Sequence, residues 1–180
     1  MSTRTRRIRP QLIVRCRSAA ARRGVLAFGP YRVPCALGRS GVRTNKREGD
    51  GATPRGRFYL LKVLFNPRGG RVVGGGLPIV RIAPHDGWCD DPTDRNYNRP
   101  VRHPYPASAE RMLRTDDLYD IVVVLSHNVR PRVRGRGSAV FLHIAREDFR
   151  PTEGCVAIRK ADMRRIVPML RRGTAIVIEP

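Results

Sequence analysis

The chain lacks several things, and each lack removes a class of protein. No window approaches the roughly eighteen uninterrupted apolar residues of a membrane-spanning helix. The best N-terminal apolar run, Val25 to Phe28, is too short for the core of a secretory signal. A cytoplasmic location is therefore expected, unless the true start or the export route lies outside what the sequence displays. Cys16, Cys35, Cys89 and Cys155 form no Cys-x-x-Cys pair, which argues against a zinc ribbon or a thioredoxin-type motif. Their spacing favours no disulfide either. Aromatic residues are only 6% and are not clustered as a base-stacking platform. No helix-turn-helix or zinc-finger pattern is present. Internal repeats and low-complexity tracts are also missing.

Acidic residues are scarce, and unevenly so. Residues 1–47 hold thirteen Arg or Lys and no acid, so they supply +13 of a net charge of +21. Lysine itself is rare: Lys46, Lys62 and Lys160 are the only three among 36 basic residues. Such a balance predicts attraction to polyanions, whether nucleic acid, acidic lipid or an anionic wall polymer. It equally suits a solvated basic surface, and salt dependence of binding separates the two readings. Residues 86–120 reverse the trend, with eight acids against five arginines.

What is present is a chain of 180 residues, enough for one domain with a core that needs no disulfide or structural metal. Short apolar runs with turn punctuation predict strands over Leu12–Cys16, Val25–Phe28, Tyr31–Leu37, Arg57–Phe65, Leu77–Ile82, Tyr119–Leu125, Ser138–Ile144 and Thr174–Ile178. The Ile/Val run after Tyr119 reads as a central strand buried on both faces. Gly38–Gly51 and the Pro-, Asp- and Asn-rich stretch Pro84–Pro106 read as loops, the second long enough to be functional or mobile. A short helix is expected at Ser108–Arg114. A second is expected around Met163, Ile166, Val167 and Leu170, an i, i+3, i+4, i+7 stripe with Asp162 as its N-cap and Pro168 as its weak point. Residues 1–50 would add basic strands to a domain centred on 51–180. The expected class is mainly β, sandwich-like, with one or two helices.

The densest chemistry lies between Phe141 and Ile158. His143 ends an apolar strand, and Cys155 follows a glycine after a polar loop that can fold back. A free thiol is mostly protonated at neutral pH, and an adjacent imidazole can take its proton. Gly154 lets the backbone approach closely, so N–H groups at Gly154 and Cys155 are candidate oxyanion donors. A structural cysteine and a core histidine are the bland alternative, which spacing alone does not displace.

This segment resembles the signature of the L,D-transpeptidase catalytic domain, the YkuD-like family. His143 matches the leading histidine, and Thr152, Gly154 and Cys155 match the Ser/Thr-His-Gly-Cys run. Upstream, Thr53-Pro54-Arg55-Gly56-Arg57-Phe58 resembles the Thr-Pro-x-Gly-x-Phe turn and strand near the start of such domains. The resemblance spans about residues 50–178, with the two motifs in the expected order. The resemblance implies a β-sandwich-like fold, a Cys155 nucleophile with His143 as base, and no metal or organic cofactor. It further implies a peptidoglycan stem peptide as substrate, a thioester acyl-enzyme, and transfer to an amine or to water. It places the protein at the cell envelope or periplasm and leads us to expect a monomer with no specific nucleic-acid partner.

The sequence departs from the family pattern in three places. Eleven residues separate His143 from Cys155, a short loop for the family. Glu153 stands where a second histidine is usual, and Ala157 where Arg or Asn is common. Lower-ranked substrate-binding candidates are Thr152, Glu153, the His127-Asn128 pair after the central strand, and Trp88 and Tyr97 in the long loop. His127 and Asn128 suit a loop-entry turn equally well, and Trp88 a satisfied surface loop. His127, His143 and Cys155 are metal-ligand types, but no close pair supports a zinc site. Two rival readings remain: an Arg-rich, non-enzymatic nucleic-acid binder, and a family member that binds wall peptides without turnover.

Overall fold

Alternation decides most of the strands. In β1 (Gln11–Arg15) Leu12 and Val14 are fully buried, while their neighbours in the strand are partly or wholly open. This is the period of two that a half-buried strand requires. A computed structural model describes residues 10–180 of the chain. β1 is followed by β2 (Arg23–Phe28), β3 (Tyr31–Ala36), β4 (Val42–Arg43), β5 (Thr53–Pro54) and the ten-residue β6 (Gly56–Phe65). Then come β7 (Ile79–Arg81), β8 (Asp86–Cys89), β9 (Pro100–Arg102), β10 (Ala109–Arg111) and β11 (Ile121–Leu125). β12 (Phe141–Ile144), β13 (Val156–Ile158), the helix α1 (Lys160–Ile166) and β14 (Ala175–Glu179) complete the order.

The large nine-stranded sheet runs β11-β12-β13-β3-β2-β1-β14-β6-β7, and β6 pairs back onto β11. The expected sandwich is thus realised as a barrel-like sheet closed through one strand. β6 makes the closure because it is long enough to serve two neighbourhoods. Gly56–Tyr59 pair with β14, and Leu60–Phe65 pair with β11. The strands near the N-terminus belong to the same sheet, with β1 parallel to β14 and β3 antiparallel to β13.

Inside the closed sheet lies an aliphatic core. Leu12, Leu26, Val123, Leu142, Val156 and Ile176 are fully buried there, and α1 adds Met163 and Ile166. Each such side chain contributes about 1.5–3 kcal/mol of transfer free energy. The helix differs from the sequence expectation at both ends. Its N-cap is Arg159, without a side-chain cap, and Asp162 lies inside the first turn, 3.6 Å from Arg165. From Val167 the chain tightens into a 3-10 turn over Val167–Met169, because Pro168 has no N–H to continue the α-helix.

Two further expectations need correcting. The stretch 84–106 is not a structureless loop: β8 pairs with β9 and with β10, forming a second, three-stranded sheet. Ala109–Arg111 is a strand of that sheet, where a helix was expected over Ser108–Arg114. Tertiary pairing with Gly87–Cys89 overrides the local helix preference there. This small sheet and the residues after it cover the outer face of β11 and β12. Trp88, Met112 and Tyr119 pack on Val122, Val124 and Phe141. None of the described helices is long and apolar enough to cross a membrane.

Candidate active site

Strand parity brings the two sequence-selected residues to one face. β12 and β13 are parallel, with Leu142 opposite Val156 and His143 opposite Ala157. Leu142 and Val156 point into the barrel core, so Phe141, His143 and Ala157 point outward. Cys155, one residue before β13, falls opposite Phe141 on that same outer side. The Phe141 N–H donates to its sulfur at 3.3 Å. His143 and Cys155 are therefore diagonal neighbours across adjacent strands. Both line a cleft of about 490 Å³.

A chain of hydrogen bonds shapes the loop that delivers Cys155. The Thr152 N–H donates to Leu37 O at 2.9 Å, and the Arg39 N–H to Thr152 O at 2.8 Å, which staples the loop to the end of β3. The Thr152 hydroxyl donates to Cys155 O at 2.6 Å and accepts the Gly154 N–H at 3.2 Å. Thr53, fully buried, also donates to Cys155 O at 3.4 Å while accepting the Gly38 N–H at 2.8 Å. The upstream Thr-Pro-x-Gly-x-Phe motif thus buttresses the downstream one. Gly154 has φ +134°, and a Cβ there would stand 2.8 Å from Ala52 O. Only glycine fits without displacing backbone.

The electrostatics keep both reactive groups neutral at rest. Burial, with a smaller contribution from the Glu110 carboxylate, pushes the Cys155 thiol up to about 12. Burial pulls the His143 imidazole down to about 4. The sulfur donates to Ala139 O at 3.2 Å. The imidazole Nδ1 lies 2.9 Å from Ile144 O, an acceptor only, so Nδ1 carries the proton and Nε2 the lone pair. That carbonyl is the orienting partner that the sequence could not locate. In this resting arrangement the sulfur and the imidazole each bond to backbone rather than to one another.

Around this pair stands a polar group that sequence reasoning missed. Tyr119 packs edge-on against His143, ring centroids 5.3 Å apart, and its hydroxyl donates to Glu110 at 2.6 Å. Arg114 lies over the Tyr119 ring and forms a bidentate pair with Asp116 at 2.7 and 2.8 Å. Burial raises the Glu110 carboxyl above its ordinary range, against the pull of Tyr119 and Arg114. These residues lie close together in sequence, between 110 and 119, and the packing of that segment on β12 brings them to His143. Lys46 also lines the cleft. The one signal for it was compositional, a lysine in a chain that otherwise uses arginine.

Of the remaining candidates, Thr152, Glu153 and Gly154 also line the cleft. The Glu153 carboxylate pairs with Arg39 at 2.8 Å at the open rim, its side chain 79% exposed. The Gly154 N–H donates to the Thr152 hydroxyl at 3.2 Å. Trp88 is buried against Phe141, and its indole N–H donates to Asn98 at 2.9 Å. Tyr97 is 1% exposed, with its hydroxyl bonded to Glu48. His127 and Asn128 brace the following loop: Nε2 of His127 contacts Arg136 O, and the Asn128 amide donates to Val133 O and Gly137 O. Trp88, Tyr97, His127 and Asn128 all lie outside the cleft lining, because their polar groups are already committed to scaffold bonds.

Comparison with known proteins found the following similarities. Among solved structures the chain is similar to Bd1075 from Bdellovibrio bacteriovorus, at 14% identity and a TM-score of 0.49. The match covers 95% of this chain and 48% of that one. An L,D-transpeptidase from Mycobacterium smegmatis is similar at 12% identity and a TM-score of 0.46, covering 95% of this chain and 59% of the other. The chain thus spans about half to three-fifths of the length of these structures. No curated protein matches it. The family model for the L,D-transpeptidase catalytic domain, YkuD, matches residues 17–178, nearly the whole sequence, and the chain belongs to that family.

Proposed function

We propose that the cleft carries out thiol-dependent acyl transfer on peptidoglycan stem peptides. Cys155 is the nucleophile and His143 the general base. The observation that carries this reading is the convergence of both residues on one outer face, in the lining of a single cleft of about 490 Å³. Cys155 attacks the amide carbonyl that precedes a terminal D-alanine. The S–H proton passes to Nε2 of His143 as the S–C bond forms, and the C–N bond breaks as that proton moves to the departing amine. An amine or water then cleaves the thioester, giving a cross-link or a shortened stem. The Cys155 N–H is the oxyanion donor in this scheme, since the Gly154 N–H is turned toward Thr152.

A resting thiol near 12 and an imidazole near 4 support proton transfer during attack, not a preformed thiolate–imidazolium pair. In this scheme the sulfur leaves Ala139 O, which it bonds at rest, to meet the base. The same bond to Ala139 O favours the second reading, a wall-peptide binder without turnover. One experiment separates the two: incubation with tetrapeptide stems, followed by mass spectrometry of products and intact protein. A thioester adduct mapping to Cys155 and loss of D-alanine support catalysis. Stem binding without adduct or product supports the binder.

A further inference from the structure

Lys46 is the only Lys or Arg among the described residues that the fold buries, at 5% exposed. A chain of charge +21 has ample surface for its cations, and burying one is costly unless it is paired and used. Its stem passes beside two glycines of positive φ. A Cβ on Gly137 would stand 2.8 Å from Lys46 Cγ, and one on Gly154 would stand 3.5 Å from Lys46 Cε. Gly154 is the residue before the nucleophile, so the lysine runs directly alongside the peptide that carries Cys155.

The ammonium is also fixed. Nζ donates to Asp50 Oδ1 at 2.5 Å and to Arg47 O at 2.8 Å. Asp50 is braced in turn by the N–H groups of Arg47 and Ala52, each at 2.8 Å. A loop staple alone does not require this construction. Asp50 already holds its loop through the two backbone donors, and a buried ion pair is on balance no more stabilising than apolar packing.

We propose that Lys46 is an electrostatic positioning residue for the nucleophile: its ammonium, anchored by Asp50 beside Gly154, is the positive charge against which the Cys155 sulfur anion and the following oxyanion form. The inference rests on the acyl-transfer reading above. It gives the catalytic loop a cation that Thr152–Cys155 themselves do not contain. The other charged and titratable groups facing the thiol are Glu110 and Tyr119 from the covering segment and His143 from β12, with Glu48, Asp90, Arg114, Arg146, Arg150 and Glu153 at the cleft wall. Glu110 is the main opponent, since its charge raises the thiol where that of Lys46 lowers it. The sulfur thus sits between fixed charges of opposite sign.

The test is the pH profile of Cys155 alkylation by iodoacetamide, read by peptide mapping on the full chain. Lys46→Met should move the profile to higher pH and cut the rate at about pH 8 by about tenfold, one unit of thiol titration. Lys46→Arg should restore most of the loss, and Glu110→Gln should move the profile the other way. With stem peptide, Lys46→Met should lower kcat and leave KM nearly unchanged. General loosening would speed labelling in both variants, so shifts of opposite sign distinguish charge from damage. A Lys46→Met profile that superimposes on the parent, or shifts in the same direction as Glu110→Gln, overturns the proposal. If Lys46→Met fails to fold, Asp50→Asn carries the test. It keeps the cation and removes its counter-charge, so the profile should fall in pH, and no shift overturns the proposal. A parent protein that turns over stems while Lys46→Met behaves identically removes only this inference. A parent with an inert Cys155 and no turnover removes the acyl-transfer reading with it.

Discussion

The two faces of β11, β12 and β13 are both buried, yet they are built differently. The inner face offers Val123, Leu125, Leu142, Ile144, Val156 and Ile158 to a closed aliphatic core. The outer face offers Phe141, His143, Ala157 and the preceding Cys155 to a separate covering layer, with a cleft between the two. A face sealed by its own barrel has no opening. One covered by a second sheet leaves a cleft between the two, and groups there are desolvated but still reachable. That is how a thiol and an imidazole become neutral and accessible together. The same three strands thus serve the closed core on one parity and the proposed site on the other.

The comparison breaks first at Cys155. Cys155→Ala should lower turnover by at least about 10³-fold, since nucleophile and base act as a unit. Its unfolding free energy should change by less than about 1 kcal/mol, because the cleft tolerates a small truncation. On the opposite parity, Leu142→Ala should cost about 2–5 kcal/mol in urea unfolding, as a cavity opens in a core without slack. Stem-peptide turnover should survive that change in whatever fraction remains folded. Were Cys155→Ala as destabilising as Leu142→Ala, the outer face would be core, and the division between the faces would be lost.

The neutral pair also predicts how stability depends on pH. His143 titrates near 4 when folded and near its ordinary 6.5 when unfolded, so the unfolded chain binds the proton first as pH falls. The stability it contributes is full above about 6.5 and is lost as pH falls toward 4, at most about 3 kcal/mol from the size of the shift. Cys155 has the opposite sign. Its stabilising contribution is full below the ordinary thiol value of 9.0 and is lost as pH rises toward 12. Urea unfolding at a series of pH values should therefore show a plateau between these limits. His143→Asn should shrink the acid limb, to which His127, Asp50 and Asp116 also contribute, and Cys155→Ala the alkaline one, which it shares with the buried Cys35 thiol. Limbs of undiminished size in both variants would mean that this pair is solvated in the folded protein.

Much of this was legible because strand parity is local. The Ile121–Leu125 run, with no polar residue, announced a strand buried on both faces, and β12 showed His143 among apolar neighbours. Cys155 and its glycine stood out because a nucleophile must be presented by an unusual turn. What stayed hidden depends on partners distant in sequence. Trp88 and Tyr97 sit amid Asp, Asn and Pro, whose turn chemistry masked their burial, and only pairing with Ala109–Arg111 brings Trp88 under the strands. Ser108–Arg114 carries helix-favouring residues, yet three of them extend to complete that sheet. Glu110 and Tyr119 reach the cleft through the packing of residues 110–119 on β12, and Lys46 through a loop whose course no periodicity reveals.

Glu153 is the smallest test and a sharp one. It occupies the family's usual histidine position one residue before the Gly154–Cys155 pair, which suggests lost catalysis if that position faces the reaction. Its carboxylate instead turns to solvent and pairs with Arg39. An exposed pair of this kind contributes little in water, and salt screens it further. Glu153→Gln should therefore leave the melting midpoint unchanged within error and kcat within about twofold, at low and high salt alike. A collapse of kcat with an intact fold would mean that the side chain swings inward during turnover. Residue 153 would then belong to the chemistry of the outer face and no longer to the surface beyond it.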